Sequence, residues 1–147
     1  MAETTTGVTL LYLIKQVELA VRSSLEEVTA ARGLTSLQYT ALTVLERHPG
    51  LTSAALARNS FVRAQTMAQM ITVLEGRGLI ERTQDPVSRR QYLLSLSAHG
   101  EELLDSLRVE VAAVETRMVS GLAEHEIAAL RHALRSCRRA LGGGEPH

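Results

Sequence analysis

Tryptophan is absent from this 147-residue chain, phenylalanine occurs once, and aromatic residues make up 3% of it. Leu, Val and Ala supply the apolar bulk instead, with few β-branched runs, which favours a helical protein. Cysteine also occurs once, at Cys137. No disulfide can close within the chain, and nothing points to an oxidising compartment. Long hydrophobic runs are missing as well. The stretch from Val8 to Ile14 is too short to cross a bilayer and runs into Lys15. Residues 1–7 are Thr-rich without basic character, so no secretory leader is expected and the cytoplasm is the expected location. Catalytic signatures are lacking too: no nucleophile with a base partner, no paired acids in a loop, no phosphate-cradling Gly-rich turn. His125 and His132 stand seven apart on one helix face beside Glu126, without the quartet of ligands a metal needs. Neither an enzyme nor a metal or cofactor site is expected. At this length the chain fits one domain with a proper core.

Net charge is zero, but the charges are unevenly spread. Residues 52–95 hold six arginines (58, 63, 77, 82, 89 and 90) against three acids (Glu75, Glu81, Asp85). Residues 1–51 hold four basic residues against five acids, and residues 96–147 six against eight. A basic centre between acidic flanks suits a local polyanion site, although a solvated face would give the same count.

Periodicity lays out the elements. Leu10, Ile14, Val17, Val21, Leu25 and Val28 form one stripe of an amphipathic helix running to about Arg32 and stopped by Gly33. Thr35 caps a second helix with core positions Leu37, Leu42 and Leu45, ended by His48-Pro49-Gly50. Thr52 opens a short helix over Ser53 to Arg58 with Leu56 inward, and after a break at Asn59 to Val62 a third runs from Arg63 to about Gly76. Residues 79–83 and 92–96 read as two strands of a hairpin around the turn Asp85-Pro86-Val87-Ser88. Ser97 caps a long helix carrying Leu104, Leu107, Val111, Val114 and Met118; the last, from about Glu124, carries Ile127, Leu130, Leu134, Cys137 and Leu141. Both show heptad-like seams. The expectation is a mainly α fold with a small β-hairpin wing. A winged helix-turn-helix covers 35–97, dimerisation helices cover 8–32 and 98–141, and a disordered tail covers 142–147.

Helix, short helix, break, helix, hairpin is the order of a winged helix-turn-helix. At 100° per residue the helix from Arg63 puts Met67, Met70, Ile71 and Leu74 on one face. Gln65, Gln69 and Thr72 fall on the opposite face, with Thr66 and Ala68 at its edges. Amides and hydroxyls without carboxylates can read base edges in a major groove. Such a helix enters the groove by its N-terminal end, which places Arg63, Gln65, Thr66 and Gln69 best. A surface helix that happens to lack acids has the same pattern.

The wing adds the decisive context. Leu34-Thr35-Ser36-Leu37-Gln38-Tyr39, Leu74-Glu75-Gly76-Arg77-Gly78-Leu79-Ile80-Glu81-Arg82, Asp85-Pro86-Val87-Ser88-Arg89-Arg90 and Leu94-Ser95-Leu96-Ser97-Ala98-His99-Gly100 occur in that order. In this order and spacing the chain resembles the MarR family of regulators over nearly its whole length. The resemblance implies a homodimeric transcriptional regulator, a repressor released by an effector, binding double-stranded DNA at an inverted-repeat operator. Arg89 would enter the minor groove, Asp85 would hold that guanidinium through its carboxylate, and Arg90 would bind phosphate. The alternative is a winged helix used for protein docking without specific DNA binding.

Three positions depart from the family pattern. Phe61 stands where the tight turn usually has Gly, Arg63 where an acidic or small cap is common, and Gln69 where a basic residue is common. The resemblance further implies a small aromatic or phenolic effector between the dimer helices and the reading head, with Tyr12, Tyr39 and His48 as candidate pocket residues; ordinary core or rim roles suit them as well. Cys137, on the seam between Leu134 and Leu141, reads as a buried small hydrophobe rather than a redox switch.

Overall fold

Thr9, Thr35, Thr52 and Ser97 each stand in extended backbone just ahead of a helix, and each side chain accepts a hydrogen bond from the backbone N–H three residues on. Each such cap contributes about 1 kcal/mol. A computed structural model describes residues 7–142. The capped helices are α1 (Leu10–Ala30), α2 (Ser36–Arg47), α3 (Ser53–Asn59) and α5 (Ala98–Met118). Between α3 and α5 lie α4 (Ala64–Gly76) and the strands β1 (Ile80–Gln84) and β2 (Tyr92–Leu96); α6 (Glu124–Ala140) closes the described chain. At Thr35 the cap is reciprocal, because the Gln38 side chain accepts from the Thr35 N–H. Helix α6 uses the Glu126 carboxylate, which accepts from the Ala123 N–H at 3.0 Å.

Strands β1 and β2 pair antiparallel from Ile80–Leu96 to Gln84–Tyr92. Leu51 extends this wing sheet, its carbonyl accepting from Leu94 N at 2.8 Å. Helices α2, α3 and α4 pack beneath the hairpin around Leu42, Leu45, Leu56, Met67, Leu74 and Leu79, all fully buried, and α5 contributes Leu107. Burying one such side chain stabilises by roughly 1.5–3 kcal/mol. Leu37 departs from the expectation. It is 42% exposed, because α2 turns Ala41, Leu42, Val44 and Leu45 to the core and leaves Leu37 facing α1.

The outer helices are less covered. In α1, Val21, Leu25 and Val28 are half-buried, whereas Leu10, Ile14 and Val17 are exposed. Helix α6 has no buried residue, and its seam residues Leu130 and Leu134 are exposed. Cys137 is exposed too, contrary to the burial expected of it: α5 borders the seam of α6 near Ile127, Leu130 and Leu134, and Cys137 lies beyond the residues of that cleft. Of the expected tail, residues 143–147 lie outside the described residues.

Candidate nucleic-acid interface

Helix α4 is built as two opposed faces. Met67, Met70, Ile71 and Leu74 are buried against α3 and the wing sheet. Gln65, Thr66, Gln69 and Thr72 are exposed on the other side, with Ala68 among them. The Thr72 hydroxyl donates back to the Ala68 carbonyl at 3.2 Å, leaving its oxygen to accept from outside. Arg63 is the N-cap of α4, exposed and without a capping side chain, so the first N–H groups of the helix have no side-chain acceptor.

The wing turn that follows β1 is closed from within. Asp85 N–H donates to the Gln91 carbonyl, and Gln91 N–H donates to the Ser88 carbonyl, both at 3.0 Å. Asp85 does not pair with Arg89 as expected: its Oδ1 accepts from the Val87 N–H at 2.9 Å, a local turn that competes for the same carboxylate. Gln84 Nε2 holds the Arg89 backbone instead, donating to its carbonyl at 2.9 Å. Both Arg89 and Arg90 are exposed at this tip. A cleft of about 490 Å³ separates wing from reading helix, lined by Thr52, Ser53, Ala68, Thr72 and Arg90 among others.

Two of the six central arginines are engaged inside the fold. Arg82 pairs with Glu75 at 2.6 Å and lies over the Tyr92 ring at 5.3 Å from its centre, bracing the wing against the end of α4. Arg77 donates to the carbonyls of Gly33 and Arg32. Arg58, Arg63, Arg89 and Arg90 are exposed and have no ion pair among the described residues. The polyanion surface is therefore narrower than the sequence count suggests.

Tyr12, Tyr39 and His48, the residues expected to line an effector pocket, do not border the groove that one chain forms between arm and head. Tyr12 is exposed in the first turn of α1, and His48 is the C-cap of α2. Tyr39 packs half-buried against the core, where burial first and the nearby Glu46 carboxylate second push its hydroxyl above the usual tyrosine range. The groove that does lie between arm and head has a volume of about 380 Å³. Val21, Leu25, Leu37 and Phe61 give it apolar walls, and Ser60 and Arg22 also border it. Ser60 and Phe61 were not among the expected pocket residues. The available signal was the odd Phe in the turn: Phe61 has a left-handed φ of 60°, which turns its ring outward to 84% exposure.

The sequence pattern of the MarR family matches residues 32–91. The HTH-type transcriptional repressor Rv2887 of Mycobacterium tuberculosis is 31% identical over 111 residues, which cover 76% of this chain and 80% of the repressor. The structure of the repressor CouR bound to a 23-mer DNA duplex superposes with a TM-score of 0.79 at 29% identity, over 88% of this chain and 92% of that one. Rv2887 in complex with salicylic acid superposes with a TM-score of 0.73 at 27% identity, over 90% and 98% of the two chains. Carrying the two-faced helix, the basic wing and these likenesses together, the chain belongs to the MarR family of transcriptional regulators.

Proposed function

We propose that this chain is an effector-responsive repressor that binds an inverted-repeat operator as a homodimer. The observation that carries the reading is the exposed amide and hydroxyl face of α4 beside Arg89 and Arg90. Gln65 and Gln69 suit bidentate contacts to adenine, and Thr66 and Thr72 can hydrogen-bond either strand or touch a thymine methyl. Arg63 and Arg90 bind phosphate, Arg89 enters the adjacent minor groove, and Asp85 shapes the wing through its turn. Residues 35–97 act as the reading head; residues 8–32 and 98–141 form the dimerisation arms. The exposed Leu10, Ile14 and Val17 of α1 and the Leu130 and Leu134 of α6 are the surfaces a second copy covers. A two-fold arrangement sets two α4 helices about one DNA turn, ~34–36 Å, apart.

The CouR structure holds DNA, and the Rv2887 structure holds salicylic acid. For this chain, the effector site is the groove between α1, α2 and the turn at Ser60-Phe61, where occupancy acts on the residues leading into α4. Nuclease protection of an inverted repeat upstream of the gene or its neighbour tests the reading, together with the slope of log affinity against log salt. Protection of both half-sites with a steep negative slope is expected. Salt-independent, sequence-indifferent binding would sink it.

A further inference from the structure

Helix α4 carries no lysine or arginine anywhere along Ala64–Gly76. At a base-reading surface that absence matters, because guanine is recognised chiefly by a cation whose donors meet its N7 and O6 together. Cytosine is recognised by a carboxylate that accepts from its amino group. The one carboxylate of the helix, Glu75, is held by the Arg82 guanidinium at 2.6 Å. The nearest cation, Arg63, stands in extended backbone ahead of the first turn. Neither member of a G·C pair finds its partner on this helix.

The groups that are exposed match both members of an A·T pair. Gln65 and Gln69 lie one turn apart on the outer face. Each amide presents the acceptor and donor that adenine N6 and N7 require. The Thr72 proton is committed to the Ala68 carbonyl at 3.2 Å, so its oxygen is left as an acceptor. Set against the major-groove edge of guanine, which offers acceptors alone, that oxygen is repelled. Ala68 and Val73 flank the amides and are exposed, which supplies the apolar contact that a thymine methyl takes. The wing makes the same choice in the minor groove. Arg89 is exposed at the tip, where Gln84 holds its backbone carbonyl. A guanidinium only donates, so it suits the A·T edge, which only accepts, and is opposed by the guanine amino group of a G·C pair.

We infer that the operator is made of A·T pairs where α4 and the wing tip meet it, and that this chain reads no guanine in either groove. The inference rests on reading the exposed face of α4 and the wing tip as the DNA-binding surface. Gln65 and Gln69 determine the sequence by selecting adenine. The Glu75–Arg82 pair acts by withdrawal, since it takes the helix's carboxylate away from cytosine.

Selection of a random-sequence duplex library on the purified full chain, followed by base-analogue substitution within the selected site, tests this. Both half-sites are expected to hold A·T pairs under α4, and changing one pair read by a glutamine to G·C should weaken binding roughly fivefold to hundredfold. Replacing its adenine by 7-deazaadenine removes the N7 acceptor, leaves base pairing intact, and should weaken the wild type about fivefold. At the pair read by Gln69, the same analogue should have no effect on Gln69→Ala, and Gln69→Arg should move the preference from adenine to guanine. Both variants should melt with the wild type, because position 69 is exposed. A selected motif with G·C pairs under α4, or wild-type binding indifferent to 7-deazaadenine, would overturn the inference and leave the regulator reading standing. A library from which no sequence is enriched would overturn both.

Discussion

The guanidinium of Arg77, one residue past the reading helix, donates to the carbonyl of Gly33 at 2.7 Å. A second bond reaches the Arg32 carbonyl at 3.1 Å. The exit of α4 is thereby tied to the turn that ends α1. Arg32 continues the connection, donating from its own side chain to the hydroxyl and carbonyl of Ser106 on α5. Head and arm share a short polar strut that no hydrophobic pattern could reveal.

Arg77→Ala removes both bonds from a partly solvated site and is expected to cost about 1 kcal/mol in urea unfolding. Arg77→Lys should recover no more than half of that, since an ammonium lacks the planar fork. An unchanged unfolding midpoint for Arg77→Ala would show that the strut carries no stability.

Gly100 is a tighter constraint. A Cβ placed there would sit 2.2 Å from the Leu79 carbonyl oxygen, so the start of α5 can press against the start of the wing only with glycine. Ser97 completes the weld, donating to the Gly78 carbonyl while accepting from Gly100 N–H. Gly100→Ala is expected to destabilise by roughly 1–3 kcal/mol, read from chemical denaturation. A variant as stable as the parent would mean that this junction shifts freely.

Phe61 holds a left-handed backbone that costs a side-chain residue about 1 kcal/mol and costs glycine almost nothing. Phe61→Gly should raise stability by about 0.5 kcal/mol after the greater freedom of the unfolded chain is subtracted. A thermal melt checks it. A lower melting temperature would show that the ring stabilises the groove by more than its backbone strain costs.

Arg89→Ala should weaken operator binding by about 1–3 kcal/mol with little change in fold stability, because the side chain is exposed and has no ion pair among the described residues. Arg90→Ala should instead reduce the salt slope by about one while weakening all sequences alike. Fluorescence anisotropy with operator and scrambled duplexes separates the two roles.

Tyr39 gives a pH signature. Its hydroxyl is held above the ordinary tyrosine pKa of 10.0, mainly by burial. The native state therefore keeps the proton longer than the unfolded state. The resulting stabilisation is complete below pH 10 and is lost as pH rises through the higher folded value. Stability should fall with pH in that alkaline window, and Tyr39→Phe should flatten the fall. Parallel curves for the two proteins would contradict the assignment.

Much of this was legible in the chain itself, because local physics wrote it there. Thr35, Thr52 and Ser97 announce helix starts through caps that need nothing beyond three residues of neighbouring backbone. Met67, Met70, Ile71 and Leu74 mark the buried face of α4 by spacing alone, and that spacing also leaves Gln65 and Gln69 outside. Tertiary structure decided whatever depends on partners distant in sequence. It took Arg77 and Arg82 out of the polyanion surface and gave the Asp85 carboxylate to Val87 rather than Arg89. It also left Tyr12, Tyr39 and His48 outside the groove that opens between α1, α2 and the α3–α4 turn. A charge or a hydroxyl carries no periodicity, so its partner is settled only when elements far apart in the chain have packed against one another.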